Sequence, residues 1–365
     1  MKTNIQYFNE DWKVLGQFFP RGWKKQAKTL GAMTRQRSIS SVNKLLQLLL
    51  IHLSDGYSLR ETVAIAKSGG ITDISDVSLL KRLKNSAEWF RWMSLELLER
   101  KGIDMTVPRW LSGYNVKSID ASVITEPGST GTDWRLHYSI YLFGLQCDQF
   151  IITQPNVGES FVNFKVNPGD LFIGDRAYGR FKSLKYVKDN GGDYIVRFKN
   201  KAFSLYCNKE EFKVVEELKS LRVGQVKEWS LIAVTNGGSE LNLRLCAIKK
   251  NRKTAENSIK KAKKEASKKQ KTIDPETLEL HKYVIILTSI KQDISAKLIL
   301  ELYRCRWQVE IAFKRLKSIL GLGHLPKTDP QSCRAWLHGK MFVALLAQAI
   351  VDEGRLFSPW GYPLS

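Results

Sequence analysis

Apolar residues recur at helical spacing through the first hundred positions, then switch to strand-like runs near residue 114. SVNKLLQLLLIHLSDG (41–56) has apolar residues three and four apart and predicts a helix stopped at Gly56. SLRETVAIAKSGG (58–70) opens on Ser58, carries Glu61 three residues on, and ends at a glycine pair. That is a capping-box start and a glycine stop. SDVSLLKRLKNSAEWFRWMSLELLER continues as one helix or two. A helix, a glycine-containing break and a basic helix with Lys81, Arg82 and Lys84 is compatible with helix-turn-helix DNA binding. It is equally compatible with a plain helical bundle.

The second pattern is strands. VKSIDASVI (116–124), RLHYSIYLF (135–143) and CDQFIIT (147–153) read as three successive strands. LFIG (171–174) is a short buried strand running into Asp175, and FKSLKYVKDNGG (181–192) is a helix stopped by glycines. DYIVRFKN follows as another strand. A three-strand meander followed by a strand–helix–strand unit indicates an α/β fold with a mixed sheet. Residues 200–275 read as an insertion: QVKEWSLIAV (225–234), a turn, and LNLRLCAI (241–248) form a hairpin. HKYVIILTS (281–289) resumes the strand pattern, a helix spans about 294 to 320, and a last helix runs from about 330 to 353. That last helix either completes a core or forms a subunit interface.

Charge narrows the class of partner. The 365 residues contain 58 Lys and Arg against 36 Asp and Glu, a net charge of +22. Such an excess selects a polyanion, either nucleic acid or an anionic membrane. No apolar run approaches the ~18 residues of a membrane span, and the first residues lack a signal-peptide apolar core. Cys147, Cys207, Cys246, Cys305 and Cys333 are scattered without a CxxC pair, which fits reduced thiols rather than a structural zinc site. Cytoplasmic, nucleoid-associated DNA is the expected partner. The segment 249–271 holds eleven Lys/Arg and two Glu. It predicts a solvated helix or a mobile loop, serving as a charged linker or as a sequence-independent phosphate contact.

The helix around YRCRWQVEIAFKRLK (303–317) carries two polar stripes where a surface helix needs one. At about 100° per residue, Arg306, Glu310 and Lys317 cluster on the Tyr303 side. Arg304, Gln308 and Arg315 form a separate solvent stripe, and Trp307 and Ile311 lie between the two. One reading of the first stripe is an internal Arg306–Glu310 pair at i,i+4. The other is a functional surface.

Three carboxylates stand out by position: Asp120 within an apolar strand, Asp175 after a short buried strand in GDRAYG, and Glu310 on the first stripe. Adjacent strands can bring two aspartates together, and a helix across the sheet can add a third carboxylate. Hard divalent cations favour such an oxygen set, which suits phosphodiester chemistry. An acid at a strand end is more often a turn or cap residue, so position alone does not decide.

Together these residues resemble a known family. SIDAS with Asp120, GDRAYG with Asp175, and a Y-x2-R-x3-E-x6-K signature matched by Tyr303, Arg306, Glu310 and Lys317 look like the bacterial DDE cut-and-paste transposases of the insertion-sequence type-four group. The resemblance covers most of the chain. It implies a ribonuclease-H-like core interrupted by a β-rich insertion before the catalytic Glu. It also implies that Asp120, Asp175 and Glu310 bind two Mg²⁺ ions, with Mn²⁺ as a substitute. By the same resemblance, Tyr303, Arg306 and Lys317 contact DNA near the cleaved strand, with Trp307, Tyr283 and Arg176 as further candidate contacts. Tyr283 or Trp229 is the candidate to stack on a flipped base, although strand packing is the plainer reading of Trp229. Arg176 and Tyr178 flank Asp175 and either touch DNA or shape the turn. Asp133, Arg135 and His137 are expected to be solvated or packed.

The expected layout is a helical DNA-binding region over 1–105, core over 106–199, insertion over 200–275, core again over 276–325, and a helical C-terminal region over 326–365. The expected reaction is metal-dependent cleavage at element ends and strand transfer into target DNA through hairpin ends, by a homodimer on double-stranded DNA with no membrane involved. By the resemblance, the residues around FSPWGYPLS help pair subunits, so a short C-terminus implies altered pairing or a chain that is simply short. A structure-selective endonuclease without strand transfer, or a non-catalytic DNA-binding relative, are the alternatives.

Overall fold

The computed structural model describes residues 12–54, 56–99, 107–318 and 321–356. The first residues and the FSPWGYPLS terminus lie outside them. Five helices lead: α1 (Trp23–Thr29), α2 (Val42–Ser54), α3 (Leu59–Ser68), α4 (Asp76–Asn85) and α5 (Ala87–Glu99). Helix α3 begins with the capping box read from its sequence: Glu61 N donates to Ser58 Oγ and Ser58 N donates to Glu61 Oε2. The single-or-double question resolves as two helices, α4 and α5, parted at the buried Ser86, whose hydroxyl donates to Arg82 O. Two of the three basic residues of α4 are engaged with protein: Arg82 bonds Arg35 O, and Lys84 pairs with Asp329 at 2.9 Å.

The sheet comes next. Strands β1 (Asn115–Ile124), β2 (Trp134–Tyr141) and β3 (Cys147–Thr153) form an antiparallel meander. β4 (Asp170–Gly174) lies parallel to β1, and β5 (Asp193–Arg197) lies parallel to β4 after the crossover helix α6 (Phe181–Asp189). This is the ribonuclease-H-like core.

Residues 200–275 contain more than the expected hairpin: β6 (Ser204–Cys207), β7 (Glu210–Glu211), α7 (Val214–Lys219), β8 (Val226–Val234), β9 (Glu240–Lys249) and α8 (Arg252–Lys268). After α9 (Pro275–Leu280) comes β10 (Tyr283–Thr288). β10 pairs with β5 on one edge and β9 on the other, so core and insertion share one ten-stranded sheet ordered β3-β2-β1-β4-β5-β10-β9-β8-β6-β7. The Lys-rich segment is helical as α8, started by Asn251, whose side chain accepts from Thr254 N at 2.8 Å. Only Ala255 of α8 is buried.

The long helix expected over 294–320 is broken. It comprises α10 (Ala296–Arg304), a 3₁₀ turn over Cys305–Trp307, and α11 (Gln308–Ser318). The buried Ser118 hydroxyl of β1 donates to Arg306 O at 3.2 Å, giving a carbonyl in the turn a partner on the sheet. A uniform 100° wheel across 303–317 therefore describes the stripe only approximately.

Finally α12 (Pro330–Leu356) completes a core rather than standing apart: it packs along α5, α4 and α2. Gly339 lets α12 approach α2, since a Cβ there would lie 2.6 Å from Leu53 Cδ1.

The two sheet faces differ. On one, Ile119, Phe172 and Tyr194 pack with Leu184 and Val187 of α6. On the other, Val116, Leu171 and Ile173 pack with Ile299 and Leu302 of α10. Alternation along β1 and β4 therefore puts Ser118 and Asp120 on the α10 side and Lys117 on the α6 side. Lys117 is fully buried there, with Nζ 2.9 Å from Asp170 and 3.2 Å from Asp148.

Candidate active site

The parallel register of β1 and β4 places two acids side by side. Ser118 faces Ile173, and two residues further along each strand stand Asp120 and Asp175. Asp175 lies just past the end of β4, and its Oδ1 accepts from Ala177 N at 2.7 Å, which turns the chain away from the sheet. The buried Asp120 Oδ1 accepts from Ala121 N at 2.8 Å. Burial pushes the Asp120 carboxyl up to about 6; Asp175 and Glu159 add to the rise, while the Ala121 amide and Arg306 oppose it.

Glu310 arrives from across the sheet in the first turn of α11. Arg306 joins the two sides: Nη1 lies 3.5 Å from Asp120 Oδ2, and Nη2 bonds Glu310 Oε1. So the internal ion pair and the carboxylate site are the same object, with Arg306 bridging strand and helix. Among the described residues, no three His, Cys, Asp or Glu side chains stand together closely enough to hold one metal ion in this arrangement. The donor chemistry nonetheless fits a hard divalent cation: all-carboxylate oxygens, with mutual repulsion that such a cation relieves.

An open cleft of about 730 Å³ starts at Asp175 and runs between the 303–307 segment and the inner side of α8. Its walls include Arg176, Arg197, Lys250, Lys261, Tyr303, Arg304, Arg306 and Trp307. Arg197 and Lys250 went unremarked in the sequence. Lys250 Nζ donates only to neutral oxygens, His281 O at 2.9 Å and Ser258 Oγ at 3.0 Å. Burial pushes its pKa down to about 8, and Arg197 and Arg176 push the same way. Burial also lowers that of Arg176, with Arg197 contributing. Cations crowded this way are held for an anion. Tyr303 is half-buried beside them, its pKa raised by burial.

The remaining candidates fall in different places. Trp307 is 51% exposed at the cleft wall. Lys317 is exposed near the far end of α11, its stem running past Gly323. Tyr283 is 2% exposed, packed in the α6-side core with Lys249 Nζ 5.6 Å from its ring centre. No ring face is open there to take a base. Trp229 packs edge-on to Phe212 at 5.5 Å, the plainer reading of that residue. His137 is buried and bonds Thr153 Oγ1 at 3.0 Å. Asp133 accepts from Glu126 N, and Arg135 donates to Val157 O.

A composite carboxylate site beside a cationic cleft, on a ribonuclease-H-like sheet, defines a class of enzymes that move phosphodiester bonds. Comparison with known proteins makes this specific. Residues 159–346 match the Transposase DDE domain, a stretch containing Asp175 and Glu310 and beginning after Asp120. The transposase for insertion sequence element IS421 of Escherichia coli is 30% identical over 365 residues, covering 97% of this chain and 98% of that one. InsL of insertion sequence element IS186A, from Escherichia coli K12, is likewise 30% identical over 364 residues, with the same coverage of both chains. Among solved structures, a piggyBac transposase synaptic complex with hairpin DNA aligns over 95% of this chain and 80% of its own, with a TM-score of 0.42 and 8% identity. The chain belongs to the DDE transposase family of bacterial insertion sequences: it is a metal-dependent enzyme that cuts DNA and transfers its strands. Among the described residues, no helix is long and apolar enough to cross a membrane.

Proposed function

We propose that Asp120, Asp175 and Glu310 hold two Mg²⁺ ions, for which Mn²⁺ substitutes, and that the cleft carries the DNA end. The observation that carries this reading is Arg306 spanning Asp120 of β1 and Glu310 of α11, with Asp175 in register beside Asp120. Bound divalent ions supply an activated nucleophile and charge stabilisation at the leaving oxygen. The protein's part is to position. Arg306 exchanges its carboxylate partners for a DNA phosphate, freeing Asp120 and Glu310 for metal. Tyr303 donates a hydrogen bond to the same backbone. Arg176, Arg197, Lys250 and Lys317 contact successive phosphates, for which Arg and Lys are suited. Trp307 offers a ring for stacking. Tyr283, buried as it is, serves the fold of the sheet and is not the stacking residue.

Cleavage at the element end frees a 3′-hydroxyl. That hydroxyl attacks the opposite strand to give a hairpin, and later target DNA. The helical unit of α1–α5 with α12 binds the element ends, and the active species is a homodimer on nucleoid DNA. Glu310→Ala is expected to abolish cleavage of an end-containing duplex while electrophoretic mobility-shift binding persists; cleavage at the wild-type rate sinks the assignment. Strand transfer with pre-cut ends separates this from an endonuclease that never joins.

A further inference from the structure

A fourth acid faces the two strand-borne aspartates. Glu159 sits on the loop between β3 and β4, and that loop is fastened across the sheet end where Asp120 and Asp175 stand. Arg135 of β2 donates to the carbonyls of Pro155 and Val157, and Asn163 Nδ2 donates to Gly158 O at 2.8 Å. Two residues past Glu159, the Phe161 ring lies so close to Gly174 that a Cβ there would be 2.8 Å from its Cζ. The same ring stacks on Tyr178 at 4.9 Å. Gly174 and Tyr178 flank Asp175 in the chain, so Glu159 is delivered to the Asp175 side of the site, away from the Arg306–Glu310 bridge.

Glu159 is half-buried, and among the described residues it has no hydrogen bond or ion pair. Burial and Asp175 raise its pKa; Arg135 and Arg180 oppose them. A second, independent feature points to the same spot. Tyr178 is fully buried and its hydroxyl has no hydrogen-bond partner. The charges of Asp120, Glu159 and Asp175 all act on it. A half-buried carboxylate among carboxylates, beside an unpartnered buried donor, is costly unless a cation gathers the acids and the donor then bonds one of them.

We infer that Glu159 is an additional ligand for the divalent cation held by Asp120 and Asp175, and that Tyr178 is the positioning residue whose hydroxyl orients it. The inference rests on the reading of Asp120 and Asp175 as metal ligands.

The test is Mn²⁺ binding to the full-length protein without DNA, followed by electron paramagnetic resonance, with thermal melting of each metal-free protein in parallel. Glu159→Gln is expected to weaken Mn²⁺ binding about 10- to 100-fold, the usual effect of losing a carboxylate at or just behind a metal. Tyr178→Phe is expected to weaken it about three- to tenfold, as for one lost hydrogen bond. Both are expected to leave metal-free melting unchanged or higher, which a merely structural role does not predict. If Glu159→Gln fails to fold, Glu159→Asp, which keeps the charge but shortens its reach, is expected to weaken binding in the same direction. Wild-type Mn²⁺ affinity in Glu159→Gln, or in Glu159→Asp where Gln does not fold, alongside loss in Asp175→Asn, overturns the inference and leaves the site reading standing. Wild-type affinity in Asp175→Asn as well overturns both.

Discussion

Strand β1 carries two charge clusters of similar composition, three residues apart and on opposite faces. Each has one cation between two carboxylates: Lys117 with Asp148 and Asp170, and Arg306 with Asp120 and Glu310. The first is closed. Its three side chains are 2%, 8% and 1% exposed, and the ammonium also lies over the rings of Tyr141 and Phe172. Ser139 donates to Asp148 and Asn167 N to Asp170, so the acids are further bonded. The second is open. Glu310 is 58% exposed, Asp120 is held partly protonated, and Asp175 and Glu159 add charge that Arg306 does not neutralise. A satisfied buried cluster fixes a fold; an unbalanced one at a cleft is arranged for something that is not protein.

The largest expected effect separates them by activity. Glu310→Ala is expected to reduce single-turnover cleavage at least about 10³-fold, equivalent to about 4 kcal/mol of barrier. Because Glu310 is exposed, its unfolding free energy is expected to stay within about 0.5 kcal/mol of wild type. Next comes Lys117→Met, which leaves Asp148 and Asp170 buried without their cation and is expected to cost about 3–5 kcal/mol in urea unfolding. A wild-type midpoint for Lys117→Met would mean that the closed cluster holds nothing together, and the contrast would collapse.

A smaller effect sharpens the contrast through pH. Asp120 has its folded pKa raised to about 6, above its ordinary value of 3.8. Between those values the folded state binds the extra proton, so this group makes the metal-free protein less stable as pH rises from about 4 to 6, and the loss is complete above that. Divalent cation reverses the sign, because it favours the ionised carboxylate. Asp120→Asn is expected to raise metal-free stability at pH 7.5 by about 1 kcal/mol and to flatten that pH window. Melting temperatures across pH 4–8, with and without Mg²⁺, check this; a melting curve for Asp120→Asn that still falls from pH 4 to 6 as in wild type contradicts it.

Much of this was legible in the chain, and what was not has physical causes. Strand alternation located Asp120 and Asp175, and fixed spacing located Tyr303, Arg306, Glu310 and Lys317. The Ser58–Glu61 cap was readable because its partners are three residues apart. The break at Cys305–Trp307 was not, because its partner Ser118 is 188 residues away. Arg197 and Lys250 were hidden for different reasons: one ends an ordinary apolar strand, and the other sits within a Lys-rich run. The continuity of the insertion with the core sheet depends on β10 using both edges, and periodicity alone carries no pairing partner. Lys117 and Asp170 sit in sequence like any other charges, and only the parallel register of β1 with β4 closes them into a buried pair.

The smallest expected effect concerns the residue between the two clusters. Ser118 lies one position after Lys117 and two before Asp120, buried on the open side, and its only printed bond is the one it donates to Arg306 O at 3.2 Å. That bond ties the 3₁₀ turn to β1 and so helps set where the Arg306 guanidinium stands between Asp120 and Glu310. Ser118→Ala leaves the Arg306 carbonyl without that donor, at a cost of about 1 kcal/mol of stability. Its effect on cleavage is expected to be several-fold, through geometry rather than chemistry, since displacements of about 1 Å in a site cost more than the bond itself. Binding to element ends is expected to be unchanged, because the cationic wall of the cleft is untouched. Ser118→Ala that loses stability yet cleaves at the wild-type rate would show that the turn only closes the core. Slower cleavage with intact binding would show that β1 positions the open cluster through Ser118 as firmly as it buries the closed one through Lys117.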